Sequence, residues 1–327
     1  MIEEILAIPE HLRDALWRVD SARLEANTSQ GLLVCGMGGS AIGGDLAAAA
    51  IGPRLSAPMS TARGYRLPGG VDERWTVLCS SYSGGTEETL SCFEAAAETG
   101  ARRIVVSTGG AIVERARADG VQIVGLPGIL PAPRTAVAYM LVAAAEVAAK
   151  AGVAPSLRAE IEAAATFLEE RVEELRERAA AIGAALAGTV PVIHGAELTA
   201  PVARRWKTQI NENAKAPAFH SELPEADHNE ICGWGGAPPG VALSAVMIED
   251  PDQGAELGRR FELTAAEITA AGSEVVSVQA LGGSRTAKIL YATMLGDLVS
   301  LELAEARGVD PLPVEAIERL KSSLAGS

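Results

Sequence analysis

The amino-acid sequence predicts an α/β protein made of two doubly wound units, each with a central parallel sheet flanked by helices. Short apolar runs alternate with helical patterns along the chain, and this order of elements covers both faces of a parallel sheet. The same order recurs after a long, charged helical stretch in the middle of the chain. The length of 327 residues fits two domains of comparable size. We therefore expect one domain over residues 1–153 and a second over residues 154–327.

The first unit begins with a predicted helix over residues 2–19. Apolar runs at residues 32–35, 75–79, 104–106 and 121–126 predict the strands of its sheet. The first three of these runs each lead into a helical pattern. Because parallel strands need crossover connections, and these are usually helical, we expect the four strands to share one sheet.

Residues 155–186 form one long, alanine-rich helical pattern, which we expect to link the two units. Its charged residues are most simply explained as a solvated helix face. Beyond it, apolar runs at 190–195, 241–248 and 274–278 repeat the strand-and-helix order of the first half. Residue identity between the halves is weak, so the inference of two copies of one α/β unit rests on the pattern alone.

Composition and charge exclude several classes of function. The net charge of -14 and the pI near 4.9 repel nucleic acid and anionic membranes, so an anionic ligand must be held by local donors. No apolar run reaches membrane-spanning length without glycine, proline or charge, and the acidic N-terminus lacks the basic start of a signal peptide. The four cysteines are scattered without a CxxC pair. We expect a cytoplasmic protein with reduced cysteines and no nucleic-acid or membrane partner.

The most informative stretch is residues 80–89, which read Ser-Ser-Tyr-Ser-Gly-Gly-Thr-Glu-Glu-Thr. They follow a predicted strand and precede a helical pattern. A strand that ends in hydroxyls and glycines and then opens a helix presents backbone N–H groups, the positive end of a helix dipole and hydroxyl donors at one place. These features predict a phosphate site that requires neither a metal ion nor a lysine.

A second glycine cluster ends the first predicted strand, where Gly36, Gly38 and Ala41 fit a G-x-G-x-x-[GA] pattern. A dinucleotide-binding fold is one interpretation, but residues 58–63 lack the acid that would hold a ribose, although Arg63 could meet a 2'-phosphate. Glycines needed only for a tight turn are another interpretation. Two such loops in consecutive strand–helix units can converge at the carboxyl end of one parallel sheet, which favours a shared phosphate pocket.

With these two loops, the chain resembles the sugar isomerase (SIS) domain family, whose phosphosugar loops read like residues 81–89. By that resemblance, glycines and hydroxyls of both loops bind the substrate phosphate: Gly38, Gly39, Ser40, Ser81, Ser83 and Thr86. One departure is visible, because the family loop commonly reads S-G-N-T and Gly85 stands here in place of the asparagine. An amide contact to the substrate would then be missing, while the hydroxyls remain.

The second half sharpens the match, since the chain there resembles the bifunctional phosphoglucose/phosphomannose isomerases. The matching segments span most of the chain in order: Pro133-Arg134, residues 211–215, residues 220–230, Gly296-Asp297, residues 307–311 and Leu320-Lys321. The resemblance implies an intramolecular oxidoreductase that interconverts glucose 6-phosphate, mannose 6-phosphate or both with fructose 6-phosphate through a cis-enediolate. It also implies a homodimer whose active sites are shared between the subunits.

Four residues are candidates for this chemistry. By the resemblance, Glu212 moves the proton between C1 and C2, His228 helps to open the sugar ring and Arg134 stabilises the enediolate. Lys321, on the predicted last helix, assists at the ring oxygen, and we expect His228 and Lys321 to reach the pocket of the partner subunit. Without the resemblance, Glu212 is read as part of a solvated polar run, Arg134 as a loop cap and Lys321 as a surface lysine.

No metal ion or other cofactor is expected. His220 and His228 have no histidine or cysteine at ligand spacing, and Cys232 alone does not complete a site. Two other functions remain open. A non-catalytic phosphosugar-binding regulator would need the loops but not the four catalytic candidates, and the chain has no basic segment of the DNA-binding kind that often accompanies such regulators. An NADP-dependent oxidoreductase would instead use the first glycine cluster.

Overall fold

The computed structural model describes residues 1–325 and contains a parallel sheet in each half of the chain. In sequence order the strands are β1 (Gly31–Cys35), β2 (Met59–Ala62), β3 (Trp75–Ser80), β4 (Arg102–Ser107), β5 (Gln122–Gly125), β6 (Val190–Gly195), β7 (Phe219–Glu222), β8 (Leu243–Glu249) and β9 (Glu274–Gln279). The first sheet has the order β2-β1-β3-β4-β5 and the second the order β7-β6-β8-β9, and all pairings are parallel. The predicted fold class is confirmed.

Helices flank and connect the sheets. In sequence order they are α1 (Ile2–Leu6), α2 (Ile8–Ser21), α3 (Gly38–Ile51), α4 (Glu87–Glu98), α5 (Gly110–Ala118), α6 (Val137–Lys150), α7 (Arg158–Glu169), α8 (Val172–Leu186), α9 (Ala200–Asn213), α10 (Ala255–Ala270), α11 (Arg285–Ala306) and α12 (Glu315–Ala325). Short 3₁₀ turns important to the site lie at Pro133–Ala136 and Glu225–His228. Among residues 1–325, no helix is both long enough and apolar enough to cross a membrane.

Several elements differ from their predictions. The helix predicted over residues 2–19 is divided at Ala7, because Pro9 in the first turn of α2 has no N–H with which to continue the hydrogen-bond ladder. The stretch predicted as one helix over residues 155–186 forms α7 and α8, which both pack against α11. Strands β2 and β7 are not among the predicted strands, so the first sheet has five strands instead of the four expected. Both are edge strands of only four residues, Met-Ser-Thr-Ala and Phe-His-Ser-Glu, and both contain polar residues, as an edge strand allows.

The strand order of the first sheet determines where its loops meet. The chain passes from β1 to β2 on one side and then returns to the other side with β3. Cys35 pairs with Cys79 at the carboxyl ends of β1 and β3, so the loops after these two strands open at the same edge. Open α/β sheets bind ligands at such reversal points. Here the loops are the two that the sequence predicts as phosphate sites.

One hydrophobic core runs through both halves of the chain and includes much of α6 and α11. Helix α9 packs closely on α11 because Gly296 has no side chain: a Cβ there would lie 2.1 Å from Nε1 of Trp206. The buried indole of Trp206 donates a hydrogen bond of 2.8 Å to the carbonyl of Ala292. This packing positions α9 and its predicted site residue. The division into domains 1–153 and 154–327 stays a prediction.

Candidate active site

The first glycine loop brings three parts of the candidate site together. Gly38 begins α3 with φ +50°, a conformation that favours glycine. A Cβ at Gly39 would lie 3.2 Å from the Cα of Arg134, so the absence of a side chain allows the 3₁₀ turn that carries Arg134 to approach the loop. The hydroxyl of buried Ser40 accepts a hydrogen bond of 3.2 Å from the backbone N–H of Tyr82, in the second loop.

The second loop is held in shape by its own hydroxyls. Ser81 is 1% exposed, and its Oγ accepts from the N–H of Gly84 at 3.1 Å and lies 2.9 Å from Oγ1 of Thr86. Gly84 has φ +69°, and a Cβ there would lie 1.7 Å from the carbonyl oxygen of Gly109, so only glycine fits. Thr86 precedes α4 but makes no side-chain cap. The first-turn N–H groups of a helix have no intrahelical partner and can bind an anion.

Position 85, where the sequence departs from the family loop, is spatially permissive. A Cβ built on Gly85 meets no atom within 4 Å, and the backbone is not in the left-handed region. The neighbouring Ser83 is exposed, and its Oγ accepts a long hydrogen bond of 3.4 Å from the N–H of Gly85. The glycine is therefore not required by the fold of the loop.

Arg134 is a buried cation with an extended set of partners. Its side chain is 3% exposed. Nε donates to Oδ1 of Asn213 at 2.7 Å, and Nη2 donates to the carbonyls of Pro311 at 2.6 Å and Leu312 at 3.1 Å. Nη1 donates to Oε2 of Glu212 at 3.3 Å. A guanidinium carries five N–H groups, so among residues 1–325 these four bonds leave one N–H, on Nη1, without a partner.

The surroundings of Arg134 make its guanidinium a buried positive charge that can stabilise a nearby negative charge. Burial lowers the pKa of Arg134 from its ordinary value, and the charge of Glu212 acts in the opposite direction. A guanidinium nevertheless stays protonated in proteins. A buried, fixed positive charge of this kind stabilises an oxyanion more strongly than a solvated one would.

Glu212 lies in the last turn of α9. Its side chain is 27% exposed and borders a cavity of about 640 Å³. Asn211, Glu212 and Lys215 line one side of this cavity, and Val309, Asp310 and the first turns of α12 are among the residues that line the other. The two glycine loops do not line it. They connect to it through Arg134, which touches the first loop on one side and Glu212 on the other.

A buried polar network holds Arg134, and the sequence interpretation did not include it. Asn213, which bonds Nε of Arg134, donates through Nδ2 to Oγ of Ser300 at 2.8 Å. Arg205 forms a two-pronged ion pair with Asp297 at 2.9 and 2.6 Å and also donates to the backbone carbonyl of Arg134 at 3.0 Å. One feature of the sequence could have indicated this network: Arg205, Gln209 and Asn213 are polar and four residues apart, so they lie on one face of α9. All three side chains are buried.

The other two catalytic candidates do not join this cluster. His228 is exposed at the end of its 3₁₀ turn, and within residues 1–325 no hydrogen bond or ion pair joins it to Arg134 or Glu212. Lys321 is exposed on α12, and the same holds for it in the described part of the chain. Among residues 1–325, direct contacts therefore join Arg134 to Glu212 and include neither His228 nor Lys321.

The residues considered for other ligands have different surroundings. Arg63, the candidate for a 2'-phosphate, forms an ion pair with Asp45. His220 is half-buried beside Arg204, whose Nε lies 3.4 Å from its Nε2, and Cys232 is exposed. Among residues 1–325 there is no group of three or more histidine, cysteine, aspartate or glutamate side chains that could hold a metal ion.

Solved structures with the same fold are found at low sequence identity. A hypothetical protein of Thermus thermophilus superposes with a TM-score of 0.74 at 17% identity, covering 99% of this chain and 90% of that one. The C-terminal domain of glucosamine-fructose-6-phosphate aminotransferase from Francisella tularensis superposes with a TM-score of 0.71 at 16% identity, covering 96% and 98%. At these identities the likeness establishes the fold alone.

Sequence comparison identifies the family. Residues 175–324 match the family model described as the bacterial phospho-glucose isomerase C-terminal SIS domain. The bifunctional phosphoglucose/phosphomannose isomerase of Aquifex aeolicus is 35% identical over 324 residues, which is 99% of each chain. The enzyme of the same name from Caldicellulosiruptor bescii is 34% identical over 336 residues, again 99% of each chain. The chain belongs to the family of bifunctional phosphoglucose/phosphomannose isomerases.

Proposed function

We propose that this protein is an aldose–ketose isomerase that interconverts glucose 6-phosphate, mannose 6-phosphate or both with fructose 6-phosphate. One observation carries the proposal within this family: a buried guanidinium, Arg134, contacts the carboxylate of Glu212 beside two phosphate-type loops. Isomerisation needs a base for the proton and a cation for the oxyanion. These two side chains supply both.

The two loops are the proposed phosphate anchor. Ser40 and Ser81 are buried and hold the loops together, whereas Ser83 and Thr86 are more exposed and have hydroxyls that can turn toward a ligand. The N-termini of α3 and α4 add backbone donors at the same edge of the sheet. The proposed phosphate-binding set is Gly38, Gly39, Ser40, Ser81, Ser83 and Thr86.

The proposed proton transfer uses one base. Glu212 removes the proton from C2 of the open-chain aldose, and the electrons form the C1–C2 double bond of a cis-enediolate while the C1 carbonyl oxygen takes the negative charge. A proton then passes from the C2 hydroxyl to O1, and the same carboxylate returns a proton to C1, which leaves the carbonyl of the ketose at C2. The free N–H of Arg134 binds the oxygen that becomes negative. The enediolate has no stereochemistry at C2, so one site can serve both the glucose and the mannose epimer if its pocket admits both.

We propose a homodimer with shared active sites for the remaining roles. His228 and Lys321 are exposed and lie away from the Arg134–Glu212 pair of their own chain. On α12, which carries Lys321, Ile317 is 39% and Leu320 66% exposed. Apolar side chains exposed on a helix are typical of a surface that a second copy covers. In this arrangement His228 and Lys321 would assist ring opening in the partner's pocket.

We propose that the protein acts in the cytoplasm. We also propose that its ligand is a small sugar phosphate. The cysteines Cys35, Cys79, Cys92 and Cys232 are all free, and the first three are buried. The net charge of -14 supports the exclusion of nucleic acid as a partner.

Turnover of the purified protein is the first test. With a chelator present, we expect it to convert glucose 6-phosphate or mannose 6-phosphate to fructose 6-phosphate. Glu212→Gln should lower kcat by a factor on the order of 100 to 10,000. Glu177→Gln, at an exposed position on α8, is the matched control and should keep native kinetics. Binding of fructose 6-phosphate without any turnover would indicate a phosphosugar-binding regulator instead.

The base assignment has its own measurement. Wild-type protein in deuterated water should exchange deuterium into C1 of fructose 6-phosphate. If Glu212→Gln exchanges at the native rate, Glu212 is not the base.

Shared sites are tested by co-expressing Glu212→Gln with His228→Ala chains. If the site is shared, each mixed dimer has one intact site, built from the unchanged Glu212 of one chain and the unchanged His228 of the other. Random pairing makes about half of the dimers mixed, so about a quarter of native activity should return. Activity no higher than that of either parent would place both residues in the site of one chain.

A further inference from the structure

Lys215 has an unusual backbone conformation beside the proposed base. It follows the end of α9 after a single intervening residue, Ala214, and has φ +53°. Glycine adopts this conformation without strain and commonly occupies this position after a helix, whereas a residue with a Cβ is disfavoured there. A lysine in this position therefore calls for a compensating contact of its side chain.

The ammonium of Lys215 makes two contacts with backbone carbonyls. Nζ donates to the carbonyl of Glu212 and to the carbonyl of Pro311, the latter at 3.0 Å. The same carbonyl of Pro311 accepts from Nη2 of Arg134 at 2.6 Å. One carbonyl of a distant segment is thus held by two cations of the candidate site.

The segment that receives these bonds connects α11 to α12. We call residues 309–313 the strap. Its Val309, Asp310 and Pro313 line the cavity of about 640 Å³ together with the first turns of α12, opposite Glu212. Residues 315–324 of α12 are all exposed, so the helix has little burial of its own to fix its position. The strap joins α12 to α11 and so fixes where α12 begins beside the cavity.

We propose that Lys215 is a positioning residue: its ammonium ties the end of α9 that bears Glu212 to the strap, and so holds α12 as one wall of the substrate cavity. The catalytic consequence of this tether rests on the proposed isomerase function, whereas the tether itself does not. The alternative is that Lys215 only caps the last carbonyls of α9, as basic residues often do at helix ends. A cap would act on α9 and leave the strap and α12 unchanged.

The test uses Lys215→Gly, which removes the ammonium and at the same time relieves the backbone. Arg23→Gly is a matched control, because Arg23 also follows a helix after one intervening residue, with φ +48°, and lies after α2, in a different part of the fold. Deuterium uptake is measured by mass spectrometry on the full-length chain. Lys215→Gly should exchange residues 309–325 about tenfold faster, while Arg23→Gly leaves that segment at the native rate.

Steady-state kinetics then show whether the tether contributes to catalysis. We expect kcat/KM of Lys215→Gly to fall about tenfold and that of Arg23→Gly to stay native. Unchanged uptake in residues 309–325 of Lys215→Gly would overturn the tether. Faster uptake with native kcat/KM would overturn the positioning role. If the wild-type protein does not isomerise sugar phosphates, the proposed function fails, and the uptake measurement still decides the tether.

Discussion

Nη1 of Arg134 lies 3.3 Å from Oε2 of Glu212, although the two residues come from different halves of the chain. The arginine is 3% exposed and the carboxylate 27% exposed, so the cation is buried while the carboxylate borders the cavity. Breaking a buried charge pair is costly, but here the guanidinium is also held by Asn213 and two carbonyls. The position of the guanidinium therefore does not depend on Glu212 alone.

Arg134→Lys should lower kcat by about 100-fold while the protein stays folded. A lysine ammonium has three N–H groups on one nitrogen, so it cannot reach Asn213, the two carbonyls and a substrate oxygen together. Steady-state kinetics and a thermal unfolding midpoint measure the two effects. Arg158→Lys, at a partly exposed ion pair with Asp20, is the control. A kcat of Arg134→Lys within about twofold of native would remove Arg134 from the mechanism.

Asn213→Asp should lower kcat by at least about tenfold with little change in KM. The new carboxylate would lie against Nε of Arg134 and neutralise the charge that is meant for the enediolate. Kinetics at several pH values measure the effect. Ser300→Ala is the control, since it leaves the contact between Asn213 and Arg134 intact while it removes the acceptor of Nδ2 and the bond from Ser300 Oγ to the carbonyl of Asp297. If both variants lose kcat equally, the loss does not come from the negative charge introduced at position 213.

Gly85→Asn should be accommodated and should lower KM for sugar phosphates, by a factor of a few for one added hydrogen bond of about 1 kcal/mol. The position has open space and a backbone that other residues adopt. Gly84→Asn is the contrasting variant, because its Cβ would lie 1.7 Å from the carbonyl of Gly109, and we expect loss of binding or of folding. An unchanged or higher KM in a folded Gly85→Asn protein would contradict the proposed placement of the phosphate.

Stability should fall in mild acid because of His194. The side chain is 1% exposed, both ring nitrogens lack a hydrogen-bond partner within the described chain, and burial lowers its pKa to about 4, against the opposing charges of Glu230 and Asp227. In the unfolded chain the pKa is about 6.5, so below that pH the unfolded state binds a proton that the folded state does not. The free energy of unfolding should then drop by about 2 kcal/mol between pH 7 and pH 5 through this group.

His194→Phe should flatten that dependence, because phenylalanine fills a similar volume beside the ring of Trp234, 5.9 Å away, and does not titrate. Urea unfolding at pH 7 and pH 5 measures it. His228→Ala, at an exposed position, should keep the wild-type difference between the two pH values. An equal drop in wild type and His194→Phe would assign the acid sensitivity to other groups.

Much of the fold could be predicted because its signals are local. The runs that form β1 and β3 are continuous and apolar, and the loops after them contain the glycines and hydroxyls that their turns require. Prediction failed where the local signal is weak. Strand β7 is a polar edge strand, and one proline, Pro9, decides where the chain breaks between α1 and α2.

The sequence by itself determined the α/β class, the two phosphate-type loops and the resemblance to the isomerase family, since short-range patterns encode each of them. Only the tertiary structure decided which candidates share a site. Arg134 meets Glu212 because Gly39 lets its turn approach the first loop and Gly296 lets α9 pack on α11. Such contacts join residues far apart in the chain, and they depend on close packing that no local pattern records.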